Sequence, residues 1–495
     1  MHSSGGGLRC YLAAVPRSFL FFLTLVALFN SSRVLREPRP DADRPMDFRT
    51  CYVGQAVLRQ GQNPYDDATL RACWQQIVAS GQLASRTQPG LPNLPFLYPP
   101  WAAALFGLSI GQLPYARAWP LWYALALLAL GLLTRLWPRV LRAENGPIVP
   151  WWQYLLFALA LKGTVPALLT GQPTFAALAL GVGALAVAAG RPRQQAAANG
   201  LVTEAPTQHS DSTATPVPSE AAATAETPAA AAGTKPAVPA GAFVAPAATR
   251  PAVSPVRQLL AGLLLGLAAF KVTLLLPFAA WFLWRRQWAA LAVAAGVVAL
   301  LSAVAWHWAA FPHELLPTYQ HLLAQVRAQS FDPADPDYPL TQGMTLRLEL
   351  GNVLEWLRPG SSAGHLGLHA ALWLATLARL AWLHRRGQRL ADWQLFLVVG
   401  TLALLTTYHL YYDAVLLLPL LTFGCLLAPR RRLLLLALLL PLLLPLNGVA
   451  LVLGNPAALH FLYFLPPLGL LGVLALLLAR PVGGAGQPDS DGIRI

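Results

Sequence analysis

The chain has too little charge to be a water-soluble globule. Only 11% of its 495 residues are Asp, Glu, Lys or Arg, whereas 56% are hydrophobic. An ordinary soluble domain is about 25% charged. So little polar surface cannot cover so large an apolar content, and the surplus faces lipid. Acidic residues are the scarcer sign, 21 against 35 basic, giving a formal net charge of +14. That excess does not point to nucleic acid, because no basic segment interleaves aromatics as a nucleic-acid groove does. Period-two alternation is missing, which excludes a membrane barrel. Cysteine is sparse, with Cys10, Cys51, Cys73 and Cys425 in no metal-binding spacing. No glycine-rich nucleotide cradle is present.

What is there instead is long, uncharged apolar sequence. Leu433 to Leu446 and Leu468 to Leu478 carry no charge at all. In hydrocarbon, backbone groups must pair within their own segment, so such runs are helices. The expected fold class is all-α, a polytopic membrane bundle of about 10–12 transmembrane helices; ten if 96–112 and 258–284 are re-entrant. Arginine pairs flank the apolar runs at Arg285-Arg286, Arg385-Arg386 and Arg430-Arg431, the positive-inside pattern. They fall inside if the loop 312–365 lies outside, and the first polar loop lies outside too. The stretch Ser18 to Phe29 reads as an uncleaved first helix.

Composition divides the chain into four parts. Residues 1–190 form an N-terminal membrane region with a first outer loop at 31–95. Residues 191–256 are Ala, Pro, Thr, Ser and Glu with almost no aromatics; such a segment buries too little to offset its ordering entropy, and is expected to be a disordered insertion. Residues 257–480 form a C-terminal membrane region with the outer loop 312–365, and 481–495 a flexible tail. Cys51 and Cys73 share the first outer loop and are open to a disulfide or to two free thiols, the latter being the plainer expectation.

Three motifs carry the chemistry. The first outer loop reads Asp47-Phe48-Arg49-Thr50-Cys51-Tyr52, then Gly61-Gln62-Asn63-Pro64-Tyr65-Asp66, then Tyr98-Pro99-Pro100-Trp101. Gly171-Gln172-Pro173 follows, and then Gly262-x-x-x-Gly266 leading to Lys271. In order and spacing these resemble glycosyltransferase family 87, a family of the GT-C membrane glycosyltransferases. Two departures stand out: Thr174 where the family has Asn, and Pro277 where a proline commonly follows the lysine sooner.

The resemblance implies transfer of a hexosyl group, often mannosyl, from a polyprenyl-phosphate carrier to a lipid or glycan acceptor, with inversion. It implies no cofactor and no metal, membrane lipids as surroundings, no nucleic acid, and the cell membrane (a bacterial inner membrane) as location. Asp47 matches the acidic position and is the candidate base, since a hydroxyl acceptor must lose its proton. Lys271 and His409 are candidates for the donor phosphate, whose charge grows as it leaves. Tyr52, Tyr65, Tyr98, Gln172, Tyr412 and Asp413 are candidate substrate contacts.

The residues themselves supply part of this. Lys271 stands inside an apolar run, and an intramembrane charge is costly enough to suggest function; the bland alternative is a lysine snorkelling to headgroups. Lys162 is a weaker case of the same kind. His409 and Asp413, four apart, pair if helical and then position a phosphate contact, or else belong to an interfacial aromatic belt with Tyr408, Tyr411 and Tyr412. Asp66 reads as a turn residue. Asp332, Asp335 and Asp337 are open to binding a divalent ion or to being a solvated irregular loop, the latter being the plainer expectation, and Gln342, Arg347 and Asn352 are candidate acceptor contacts. The competing function is a flippase for lipid-linked sugars, which would call for inverted repeats and paired interior charges; no repeat is evident.

Overall fold

The computed structural model describes residues 15–36, 46–81, 95–144, 149–189, 253–329, 347–357, 362–388, 390–444 and 456–479. The chain divides into two units, Met1–Gly190 with Ser254–Ile495, and Arg191–Val253. Nearly all of the second, the expected insertion, lies outside the described residues, as do Cys10, the Asp332–Asp337 loop and Gln342. Every described element is helical, and no strand occurs among the described residues beyond one isolated bridge between Arg347 and Leu410.

The N-terminal half contains α1 (Arg17–Arg36), α2 (Met46–Arg59), α3 (Asp67–Ala79), α4 (Pro100–Leu108), α5 (Tyr115–Ala143), α6 (Trp151–Ala160), α7 (Thr164–Thr170) and α8 (Thr174–Ala189). The C-terminal half contains α9 (Pro255–Ala268), α10 (Val272–Trp284), α11 (Trp288–Trp308), α12 (Pro312–Gln329), α13 (Gly351–Leu357) and α14 (Ser362–Arg385). It continues with α15 (Asp392–Thr406), a 3-10 turn (Tyr411–Leu417), α16 (Leu420–Cys425), α17 (Pro429–Leu443) and α18 (Pro456–Ala479).

Among the described residues, three helices are long and apolar enough to cross a membrane: α5, α11 and most of α14. A fourth arises if α6 and α7, bent by 80° at their break, count as one span. Several other apolar runs of the sequence fold into shorter helices, among them α8, α9, α10 and α15. The run 258–284 is cut at Lys271 into α9 and α10, and 411–428 becomes a 3-10 turn plus the six-residue α16.

Helix α5 shows how lipid and core are sorted. Its 29 residues rise about 43 Å, more than the roughly 30 Å of hydrocarbon. Leu121, Leu125, Leu128 and Leu132 form an exposed stripe at helical spacing, while Trp122, Ala126, Ala129 and Leu133 are buried. The Gly262/Gly266 pair brings α9 against α11 with no room to spare: a Cβ on Gly262 would lie 2.4 Å from the Ala290 carbonyl oxygen, and one on Gly266 2.8 Å from that of Ala294. Small residues let membrane helices approach to this distance, where dispersion contacts rather than water expulsion hold them.

Helix ends freed by the breaks are satisfied internally. Asn30 on α1 is buried and donates from Nδ2 to the carbonyls of Ala160 (2.8 Å) and Leu443 (3.0 Å), the ends of α6 and α17. Trp101 donates from Nε1 to the Ala269 carbonyl at 3.0 Å, closing the end of α9. Arg285, at the end of α10, is mostly buried and pairs with both Glu144 and Asp392, so its charge is neutralised by protein rather than headgroups. The helices α10 and α15 run from this ion cluster to a cavity at their opposite ends.

Candidate active site

Asp47 is positioned by a close contact between α2 and the turn after α7. Gly171 ends α7 in the left-handed conformation (φ 74°), which a side chain resists. A Cβ there would lie 2.7 Å from Cβ of Phe48. Trp122 donates from Nε1 to the Gly171 carbonyl at 2.9 Å, and the Gln172 amide to the Ala167 carbonyl at 2.9 Å. The turn then releases the chain through Pro173 into α8. This sets Gln172 beside Asp47 in the first turn of α2, where the carboxylate accepts hydrogen bonds from the side chains of Thr170 and Gln172. The other face of Phe48 packs into an aromatic cluster with Tyr52, Tyr115, Trp119 and Trp122.

Lys271 comes from the C-terminal half. It sits at the break between α9 and α10, not within a continuous helix, and caps the start of α10. Its Nζ donates to Asp413 Oδ1 and to the Thr174 hydroxyl, both at 2.5 Å, and lies 4.9 Å from the centre of the Tyr412 ring. The Thr174 hydroxyl donates in turn to Asp413 Oδ1 at 2.9 Å. On the far side, His409 Nδ1 meets Asp413 Oδ2 at 2.9 Å. The departure from the family's Asn at residue 174 thus falls on the residue that bridges the lysine and its carboxylate.

Both groups line one cavity of about 620 Å³. Its wall also includes Tyr98, Gln172, Tyr412 and Asp413, and on another side Arg347, Glu349 and His369. Tyr319 and Leu323 of α12 and Val272 of α10 line it as well. Gln172 is buried, and its Oε1 has no hydrogen-bond partner among the described residues. Burial pushes the Asp47 carboxyl above its ordinary value, and the hydrogen bonds from Thr170 and Gln172 and the charge of Lys271 pull the other way. Among the described residues, no three His, Cys, Asp or Glu side chains gather as a metal site would need.

Of the candidates from the sequence, Asp47, Lys271, Tyr98, Gln172, Tyr412 and Asp413 line this cavity. Three residues lie elsewhere. His409 is fully buried behind Asp413 and touches the cavity only through it. The Tyr52 hydroxyl donates to the Leu113 carbonyl at 2.7 Å, and the Tyr65 hydroxyl to the Tyr98 carbonyl at 3.0 Å; both tie the first outer loop to the chain that flanks α4. Asp66 caps α3 by accepting from the Thr69 amide at 3.0 Å. Lys162 is buried at the break between α6 and α7, its ammonium 5.7 Å from the Tyr411 ring centre. Cys51 and Cys73 are free thiols, both buried. Glu349 and His369 are among the cavity groups that the sequence reading passed over, and Thr174, noted there only as a departure from the family pattern, is the hydroxyl that holds Lys271 and Asp413. Glu349 left a faint signal in the alternation Arg347-Leu348-Glu349-Leu350.

No curated protein and no solved structure matches the chain. The family match begins within the insertion and takes in Lys271, Arg347 and Glu349, while Asp47, Gln172 and His409 lie beyond it. Over residues 237–407, about a third of its length, this membrane protein matches the model of glycosyltransferase family 87, and that match supports a membrane glycosyltransferase.

Proposed function

We propose that the protein is a multi-pass enzyme of the bacterial inner membrane that moves a hexosyl group from a polyprenyl-phosphate carrier to a lipid or glycan acceptor. The sugar is mannosyl by analogy with the family, and the reaction faces the non-cytoplasmic side. The observation that carries the proposal is the presence of Asp47 and Lys271, 224 positions apart in sequence, on the wall of one cavity.

The step is a single displacement. The acceptor oxygen attacks the anomeric carbon from the face opposite the phosphate. The bond from that carbon to the phosphate oxygen breaks, and its electron pair leaves with polyprenyl phosphate. Asp47 takes the proton of the attacking hydroxyl, and the anomeric configuration inverts. A carboxylate lifted above its ordinary value by burial is the better base for a weakly acidic hydroxyl. Lys271 has two N–H groups committed to Asp413 and Thr174 and a third for a phosphate oxygen. His409 acts one step back, holding Asp413 in place beneath the lysine.

Charge supports a monophosphate over a diphosphate carrier. The lining contains Lys271 and Arg347 against Asp47, Asp413 and Glu349, and each cation already faces a carboxylate. A phosphodiester adds one negative charge to that balance, and a diphosphate adds two. The test is transfer by the purified full chain in lipid nanodiscs, given labelled polyprenyl-monophosphate hexoses and their diphosphate counterparts. Labelled product from a monophosphate donor is expected. Product from the diphosphate alone, or movement of the intact donor across the bilayer with no product, would overturn the proposal.

A further inference from the structure

The cavity has a second polar station that the displacement does not use. Residues Arg347 to Leu350 run extended along the end of α15 and the chain that follows it. The Leu348 amide donates to the His409 carbonyl at 2.9 Å, the Leu350 amide to the Leu405 carbonyl at 2.8 Å, and Arg347 bridges to Leu410. Extended backbone sends alternate side chains to opposite faces. Leu348 and Leu350 accordingly enter the core, while Arg347 and Glu349 line the cavity. The two are 4% and 8% exposed, and the guanidinium Nη1 donates to Glu349 Oε1 at 3.3 Å. The guanidinium also lies 4.7 Å from the centre of the Tyr408 ring, which shares the cavity wall.

A buried ion pair is a poor way to stabilise a fold, because desolvation consumes most of the attraction and apolar residues of like volume serve as well. Its value here lies in what it offers a ligand. An anion is repelled by Glu349 and a cation by Arg347, so the pair suits a neutral guest. It presents N–H donors and carboxylate acceptors side by side. A hydroxyl is both donor and acceptor, and a cluster of hydroxyls can use both partners at once. A simple alcohol offers one such group, a sugar several. The nearby aromatic ring adds a flat apolar surface of the kind a sugar's C–H face covers.

We propose that Arg347 and Glu349 form a binding site for the hydroxyls of a neutral hexose in this cavity. That hexose is either the sugar of the acceptor or the one carried by the donor, and the proposal rests on the transferase reading only in naming these two sources.

The test is binding to the full chain in nanodiscs, measured by calorimetry, with no transfer required. One arm compares octyl α-mannoside, octyl glucoside and octyl galactoside with octanol. The other compares farnesyl-phosphate mannose with farnesyl phosphate. Wild type is expected to bind at least one sugar-bearing probe more tightly than its sugarless counterpart. Replacing both residues by methionine removes the polar pair yet keeps the volume, which favours retention of the fold, and Glu349→Gln is a milder companion. The double variant is expected to lose that preference by about tenfold or more, since hydrogen bonds to charged groups are the strong ones.

Loss in the octyl arm assigns the site to the acceptor sugar, and loss in the farnesyl arm to the donor sugar. No sugar preference in wild type, or an undiminished preference in both variants, overturns the proposal. The transferase reading fails separately: a sugar preference that depends on the pair, in a protein that makes no product, leaves this site standing and removes the enzyme.

Discussion

Replacing Gly171 by alanine should cost this protein far more activity than stability. The residue holds φ 74°, a conformation that costs an L-residue roughly 1–2 kcal/mol. Worse, the new Cβ would stand 2.7 Å from Phe48 Cβ and 3.5 Å from its amide nitrogen. Carbon atoms rest at about 3.5–4.0 Å, so something must yield by about 1 Å. A rotamer change at Phe48 cannot help, since the clash is with the first atom of its side chain. The start of α2 must move, and Asp47 moves with it. A misplacement of about 1 Å near a reacting centre costs on the order of 100-fold in rate. The assay is initial transfer velocity in nanodiscs at saturating donor and acceptor, with thermal unfolding in parallel. The expected result is a drop in kcat of about 100-fold with a fall in the unfolding midpoint of only a few degrees. A variant that keeps kcat within twofold of wild type would contradict the idea that this turn sets the base.

Thr174→Val removes the hydroxyl bridging Lys271 and Asp413; donor KM should rise about tenfold or more, and Thr174→Ser should restore it. The raised Asp47 carboxyl predicts that activity falls with decreasing pH at a higher pH than a free aspartate would give, because the base works only when ionised. Gln172→Ala removes a hydrogen bond that favours the ionised form, so the acid limb of a kcat–pH profile should move further up. Arg285→Met leaves Glu144 and Asp392 buried without their cation; stability should drop by about 3–5 kcal/mol, measured as a lower thermal midpoint, while the KM values of the folded fraction hold.

Physics explains which parts could be read in advance. Apolar runs in a chain this poor in charge can only be helices, so the fold class follows from composition alone. The glycines of the motifs were visible in the sequence only as part of a family pattern; their physical reasons, a left-handed turn at Gly171 and close helix contact at Gly262 and Gly266, come from the structure. The break at Lys271 was not. No Gly or Pro stands at residues 268–273, and the helix ends where Trp101, from a distant segment, accepts the role of closing Ala269. The pairing of His409 with Asp413 followed from their spacing, yet both stand outside an α-helix, with Asp413 in a 3-10 turn. Glu349 was passed over because four alternating residues are too few to tell an extended strap from a loop, and its partner strand-like segment lies some sixty positions on.

Conversion of Asp47 to asparagine keeps the size and most of the hydrogen-bonding capacity of the side chain but removes its ability to take a proton. Given a labelled polyprenyl-phosphate hexose and acceptor in nanodiscs, the variant should bind donor as wild type does and transfer it about 100- to 10,000-fold more slowly. Transfer at the wild-type rate would show that the carboxylate at this wall is not the base.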